Sequence, residues 1–263
     1  MGLEVAHFEF RLMAVLAIDV GNHRIKLTLV SDLNRFISRQ VILTETLDDG
    51  IENIIKTAAH PENQGVVIGS TIPGVSSRLV DALSNFDPLV VTGETNSQLK
   101  VNYSPLSSLG ADRLSAAVGA YVEYGKTQNR AIMIVDAGTA VTADLVNIEG
   151  EFLGGAIFPG EKISLESLTN FTAQLPKTEF EVASNYIGNT TRDSMLVGIK
   201  GIILGGIEYI YKKYAEKRGE RPFLVISGGS APWISGEITI PHIVDPDITL
   251  IGLAAIWSLN REN

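Results

Sequence analysis

The chain has 263 residues, 45% of them hydrophobic, a formal net charge of −9 and no cysteine. That length supplies a large core, in one domain or in two lobes. The acidic balance excludes a broad nucleic-acid surface, which needs clustered Lys and Arg, and the lack of cysteine excludes disulfides, thiolate metal sites and thiol nucleophiles.

The first twelve residues, MGLEVAHFEFRL, lack the long apolar region of a signal peptide. They read equally as an extension from an upstream start or as an ordinary terminus. From Met13, MAVLAIDVG is a continuous apolar run ending at a turn, the pattern of a strand buried on both faces. RIKLTLV alternates and should pair back antiparallel, and RFISRQVIL continues the meander. DDGIENIIKTAA has helical spacing, with Ile51, Ile54 and Ile55 on one side. GVVIGS predicts a strand, SSRLVDALSNF a helix, PLVVTG a strand and GADRLSAAVGAYVEYG a helix whose small residues permit close packing.

The first pattern then returns. NRAIMIVDAGTAVTADLVNIEGEFLGGAIFPG reads as three strands joined by turns, with Asp136 and Asp144 interrupting its apolar runs. SLESLTNFTAQL predicts a helix, and a long helix runs from about Thr190 toward Lys217. Its Gly198, Gly201, Gly205 and Gly206 lower helix propensity and are expected to mark close helix packing, within a subunit or across a dimer. Its most apolar segment, 195–207, is interrupted by Lys200 and is too short for a bilayer of about 30 Å, so a cytoplasmic protein without a membrane partner is expected. PFLVISGG and ITIPHIVDP predict strands, and ITLIGLAAIWSLN a closing helix. The repeated order implies an α/β fold of two similar lobes, 13–115 and 116–263, facing each other across a cleft.

The two repeats share Asp-x-Gly, at Asp19 and at Asp136. Alone, each is an ordinary hairpin signal. In matched contexts the pair suits a polyphosphate clamp: glycine lets phosphate approach the backbone N–H groups, Thr139 and Thr142 add hydroxyl donors, and each aspartate holds a cation against the phosphates. Asp112 and Arg113 open a helix after Gly110. An acid in a first turn is explained equally by the helix dipole and by a substrate hydroxyl that it deprotonates. Arg113 likewise suits a bidentate grip on a carboxylate or phosphate.

Taken in order, DVGNHRIK (19–26), GADR (110–113), DAGTAVTAD (136–144), GGAIFPG (154–160), IGNTTRDSMLVGI (187–199) and ISGG (226–229) resemble the type III pantothenate kinase family, over nearly the whole chain after Met13. That family belongs to the acetate kinase, sugar kinase, Hsp70 and actin superfamily. The resemblance implies two ribonuclease H-like lobes of the actin-like ATPase fold, each a mixed sheet flanked by helices. It implies ATP-dependent phosphorylation of pantothenate to 4′-phosphopantothenate, the first step of coenzyme A biosynthesis. Asp19, Val20, Gly21, Asn22, His23, Arg24, Ile25 and Lys26 would form the first phosphate loop, with Asp19 near Mg²⁺. Asp112 would be the catalytic base; Gly110, Ala111, Asp112 and Arg113 would bind pantothenate with Tyr103, and Thr191 is a further substrate contact. Asp136 is similar to the family's ligand for a monovalent cation, K⁺ or NH₄⁺; Thr139 would contact ATP, and Gly228 and Gly229 its adenosine end. Family members are homodimers. The chain departs from the family pattern at His23, where Thr is usual, at Thr190, where Asn is common, and in SGGSAP, which lacks the acid that often follows the double glycine. His23 favours a second reading, a nucleotide-binding regulator with weak turnover; intact GADR and DAGTAVT disfavour it.

Overall fold

The apolar run that ends at Asp19 lies at the centre of a sheet, and so does the one that ends at Asp136. In the computed structural model, residues 14–32 and 35–261 are described; the extension expected over 1–12 lies outside the described residues. The first half runs β1 (Val15–Val20), β2 (Arg24–Asp32), β3 (Arg35–Leu43), α1 (Leu47–Ala58), β4 (Val66–Ser70), α2 (Pro73–Ala82), β5 (Leu89–Val91), β6 (Lys100–Val101) and α3 (Ala111–Ala120). The second runs β7 (Ile132–Ala137), β8 (Ala140–Val146), β9 (Glu151–Pro159), α4 (Glu161–Asn170), α5 (Thr191–Arg218), β10 (Phe223–Ser227), α6 (Ala231–Glu237), β11 (His242–Val244) and α7 (Ile248–Arg261).

The strands form one sheet in the order β3-β2-β1-β4-β5 and another in the order β11-β10-β7-β8-β9-β6. β1 pairs antiparallel with β2 and parallel with β4. β7 pairs antiparallel with β8 and parallel with β10. The second sheet therefore repeats the first, with β6 added beside β9. This is the duplicated mixed α/β architecture that the sequence predicts.

Two helices fill the space between the sheets. One core cluster joins Val15 and Ala17 of β1, Ile132 and Ile134 of β7, and most of α3 and α7. From Ile248 to Ser258 every residue of α7 is buried, as expected of a helix that is apolar all round. Glycines let α3 and α7 meet backbone to backbone: a Cβ at Gly119 would overlap the Ile248 carbonyl oxygen, and one at Gly252 the Ser115 carbonyl oxygen. A second cluster lies under α1 and α2, and a third under α4, α5 and α6. Each sheet is thus covered on both faces.

Several expectations are corrected. α4 stops at Asn170 rather than continuing through Leu175, and Phe171 is 87% exposed. The hydroxyls of Thr169 and Thr172 donate back to the carbonyls of Leu165 and Leu168, local bonds that compete with helix propagation. α2 begins earlier than predicted, at Pro73, a residue preorganised for the first helical position. β6 and α6, two and seven residues long, are too short to register as periodic patterns. The long helix α5 has 28 residues, about 42 Å at 1.5 Å per residue, so by length and composition it could span a bilayer; the apolar segment alone underestimated it. Met195, Leu196, Ile199, Ile203 and Ile207 commit one side of α5 to the second sheet. Gly198, Gly201 and Gly205 are exposed and have nothing within 4 Å of a Cβ position, so the close packing expected of them does not occur within this chain.

Candidate active site

Equivalent positions in the two sheets place the two Asp-x-Gly turns. Asp19 ends the central strand of the first sheet, opposite Lys26 across the hairpin. Asp136 ends the central strand of the second, beside Ser227 and Thr142. Asp112 comes from the first turn of α3, the helix lying between the sheets.

These groups meet at one site. Asp19 is pushed up to about 7, chiefly by burial, then by the negative charges of Asp136 and Asp112, with Lys26 opposing. Asp136 is raised by burial first and by Asp112 and Asp144, again with Lys26 opposing. Acids from both halves thus feel one another across water-poor space. An excess of carboxylates that resist ionising is a site that a cation completes. Among the described residues, no three His, Cys, Asp or Glu groups come close enough to enclose a metal. A cation here would draw the rest of its oxygens from a ligand, the usual arrangement for Mg²⁺ at phosphates.

Both turns present free backbone donors. In the first, the Gly21 N–H donates to the Arg24 carbonyl at 3.0 Å, while Thr44 occupies the Gly21 carbonyl through its hydroxyl (2.8 Å) and the His23 carbonyl through its N–H (3.1 Å). The Asn22 and His23 N–H groups have no partner among the described residues. In the second, the Gly138 N–H donates to the Ala140 carbonyl at 3.0 Å, and the Thr139 N–H has no partner among the described residues. Gly160, which caps α4, backs this turn through its N–H to the Thr139 carbonyl at 3.2 Å. Gly228 has φ +92°, and a Cβ there would lie 2.5 Å from Asp136 Oδ1. The first glycine of the pair after β10 therefore lies against Asp136, where a side chain would be both strained and in collision. Gly229 is exposed.

Gly110 caps α3, and a Cβ on it would overlap Asp112 Oδ1, which accepts the Arg113 N–H at 2.8 Å. This glycine leaves room for the acid to sit at the helix mouth. Ala111 and Arg113 are buried, and Tyr103 is half-buried with its hydroxyl 3.2 Å from Arg113 Nη1. Arg113 turns inward onto Asp144 of β8. Thr191 is exposed at the start of α5, where the Thr190 hydroxyl accepts the Asp193 N–H at 3.1 Å.

Sequence reasoning assigned no role to Asp144, though its position in DAGTAVTAD was visible. Asp247, before α7, was also missed: burial raises it, Lys26 and Arg39 oppose, and Arg39 reaches it from β3 at 2.5 Å. No local pattern flags it. A cavity of about 620 Å³ lies elsewhere, between α4 and residues 177–180. Glu161 on its wall accepts the Trp233 Nε1–H at 2.5 Å, and Trp233 packs on Phe180.

Residues 15–213 match the family described as type III pantothenate kinase. A type III pantothenate kinase of Persephonella marina is 33% identical over 254 residues, covering 93% of this chain and 98% of that protein. Among solved structures, a protein of Campylobacter jejuni described as a Baf family transcriptional activator has a TM-score of 0.60 at 18% identity, over 95% of this chain and all of that one. A glucokinase from an Antarctic psychrotroph has a TM-score of 0.51 at 16% identity, over 94% of this chain and 99% of the other. The two structural likenesses show the fold.

Proposed function

This chain belongs to the type III pantothenate kinase family, whose reaction is the ATP-dependent phosphorylation of pantothenate in coenzyme A biosynthesis, and we propose that Asp19, Asp136 and Asp112 are the residues around which it carries that reaction out. The observation that supports this is electrostatic: Asp136, Asp112 and Lys26 all act on Asp19, and Asp112 and Lys26 act on Asp136, although they come from separate parts of the sequence.

In this reading the turns at Asp19–Lys26 and Gly138–Thr139 hold the triphosphate by backbone N–H groups and by Lys26. Gly228 and Gly229 lie toward the adenosine end. Asp19 holds Mg²⁺ and Asp136 holds K⁺ or NH₄⁺, which would supply charge neutralisation at the phosphates. Gly110 to Arg113, with Tyr103, hold pantothenate, with Thr191 a further contact. The pantothenate hydroxyl oxygen bonds to the γ-phosphorus as the bond to the β–γ bridging oxygen breaks; ADP leaves and the hydroxyl proton passes to Asp112. Such a transition state is loose, so positioning and charge neutralisation dominate, and Asp112 acts mainly by aligning the hydroxyl.

The lobes are read as 13–115 and 116–263, joined through α3, and the protein as a cytoplasmic homodimer. The outer face of α5 supports the dimer: Ile202 and Tyr209, 58% and 61% exposed, flank the uncovered Gly201 and Gly205, a surface that a second copy would cover closely. Purified protein with ATP, Mg²⁺, K⁺ and pantothenate tests the site. Asp112→Asn should lower kcat by on the order of 10²–10⁴ with an unchanged fold, and Asp136→Asn should blunt activation by K⁺. Wild-type turnover in the first variant removes Asp112 as base; an unchanged K⁺ response in the second removes Asp136 from the cation site.

A further inference from the structure

Arg113 is the most completely held charged side chain near the site. Its side chain is 6% exposed and that of its partner Asp144 is 2% exposed. Nε donates to Asp144 Oδ2 at 3.0 Å and to Oδ1 at 3.2 Å, and Nη2 donates to Oδ1 as well. Nη1 donates to the Tyr103 hydroxyl at 3.2 Å. A guanidinium has five N–H donors. Asp144 takes the one on Nε and one on Nη2, and Tyr103 takes one on Nη1. One N–H remains on each Nη nitrogen, the number that a second carboxylate needs for a bidentate pair.

Gly155 of β9 leaves room for this arrangement, and its neighbour Gly154 lies beside Tyr103. Asp144 faces Gly155 across the β8–β9 ladder, and a Cβ at Gly155 would lie 2.5 Å from Asp144 Oδ1. At Gly154, with φ +84°, a Cβ would rest 3.7 Å from the Tyr103 ring. Sequence reading saw these glycines only as part of GGAIFPG. In the fold they form the floor under an Asp144–Arg113–Tyr103 chain.

We infer that Asp144 is a positioning residue for the acceptor substrate: it fixes the Arg113 guanidinium so that its two remaining N–H groups meet the substrate carboxylate. It touches no substrate and acts through Arg113. The inference rests on the reading that Arg113 binds that carboxylate. A lone buried guanidinium would be costly and free to swing, and a buried carboxylate on its far edge removes both problems. The substrate then meets a fixed two-pronged donor instead of a long side chain that must be ordered on binding.

The test is steady-state kinetics with each substrate varied, on the full-length enzyme. Asp144→Asn keeps an acceptor but loses the charge; the KM for pantothenate should rise at least about tenfold while the KM for ATP stays within about twofold. Asp144→Glu keeps the charge pair. Because Gly155 already abuts the Asp144 oxygens, the added methylene must displace the guanidinium, so this variant should show the same split even where the Asn variant fails to fold. Arg113→Lys tests the premise, and should raise the pantothenate KM at least as much. If Arg113→Lys leaves that KM unchanged, the carboxylate reading falls and the inference with it. If Arg113→Lys raises it but Asp144→Glu does not, the reading stands and the positioning role is overturned. A purely structural Asp144 would lower the active fraction while leaving both KM values alone, which also overturns it.

Discussion

Replacing Asp19 by Asn should stabilise the ligand-free protein while abolishing its use of nucleotide. In the unfolded chain Asp19 ionises near 3.8, whereas in the fold burial and the charge of Asp136 hold its proton to about 7. Between those values the folded state binds more protons than the unfolded one, so stability falls as pH rises. The cost is absent below about pH 4 and complete above about pH 7. At about 1.4 kcal/mol per pH unit, the interval bounds the penalty at about 4 kcal/mol. Asn carries no charge and escapes it. Urea unfolding of both proteins, without nucleotide or divalent cation, should therefore show Asp19→Asn more stable by up to about 4 kcal/mol at about pH 8, with the gap shrinking to about 1 kcal/mol near pH 4.5. Subtracting the two curves cancels the titration of other carboxylates except those coupled to Asp19. Adding Mg²⁺ and ATP should then stabilise the wild type by linkage and leave the variant unmoved. A gap that does not shrink on acidification, or a variant less stable than wild type at about pH 8, would refute the claim that Asp19 is a buried carboxylate awaiting a cation.

Two further outcomes probe the scaffold. Gly252→Ala drives a methyl into the Ser115 carbonyl oxygen at the crossing of α3 and α7 and should cost about 3 kcal/mol or more, read as a lower urea midpoint; an unchanged midpoint would mean that the two helices are not in backbone contact. Ile202→Glu places a charge on the exposed face of α5 and should halve the mass measured by sedimentation, with secondary structure retained. A wild type that is already monomeric, or a variant of unchanged mass, would remove α5 from the dimer interface.

Much of this protein was written locally. The apolar runs ending at Asp19 and Asp136, and the meanders that follow, are patterns of period and punctuation, and both folded as the centres of matching sheets. The six motifs from DVGNHRIK to ISGG, taken in order, were enough to name the family. Local pattern failed where the decision was made at a distance. The apolar spacing after Asn170 reads as helix, yet no core lies beneath Phe171 and α4 ends. The glycines of α5 look like a packing seam, but only the fold shows that their face is open. The sequence presents Arg113 as a free cation beside a candidate base; β8 and β9 bring Asp144 against it, where it accepts from Nε and Nη2. The ionisation of Asp19 likewise has no sequence signature, because it depends on burial and on an acid in the other half of the chain. Hydrophobic periodicity is a property of neighbours along the backbone, whereas desolvation and charge coupling belong to groups that become neighbours only once the sheets have closed on α3 and α7.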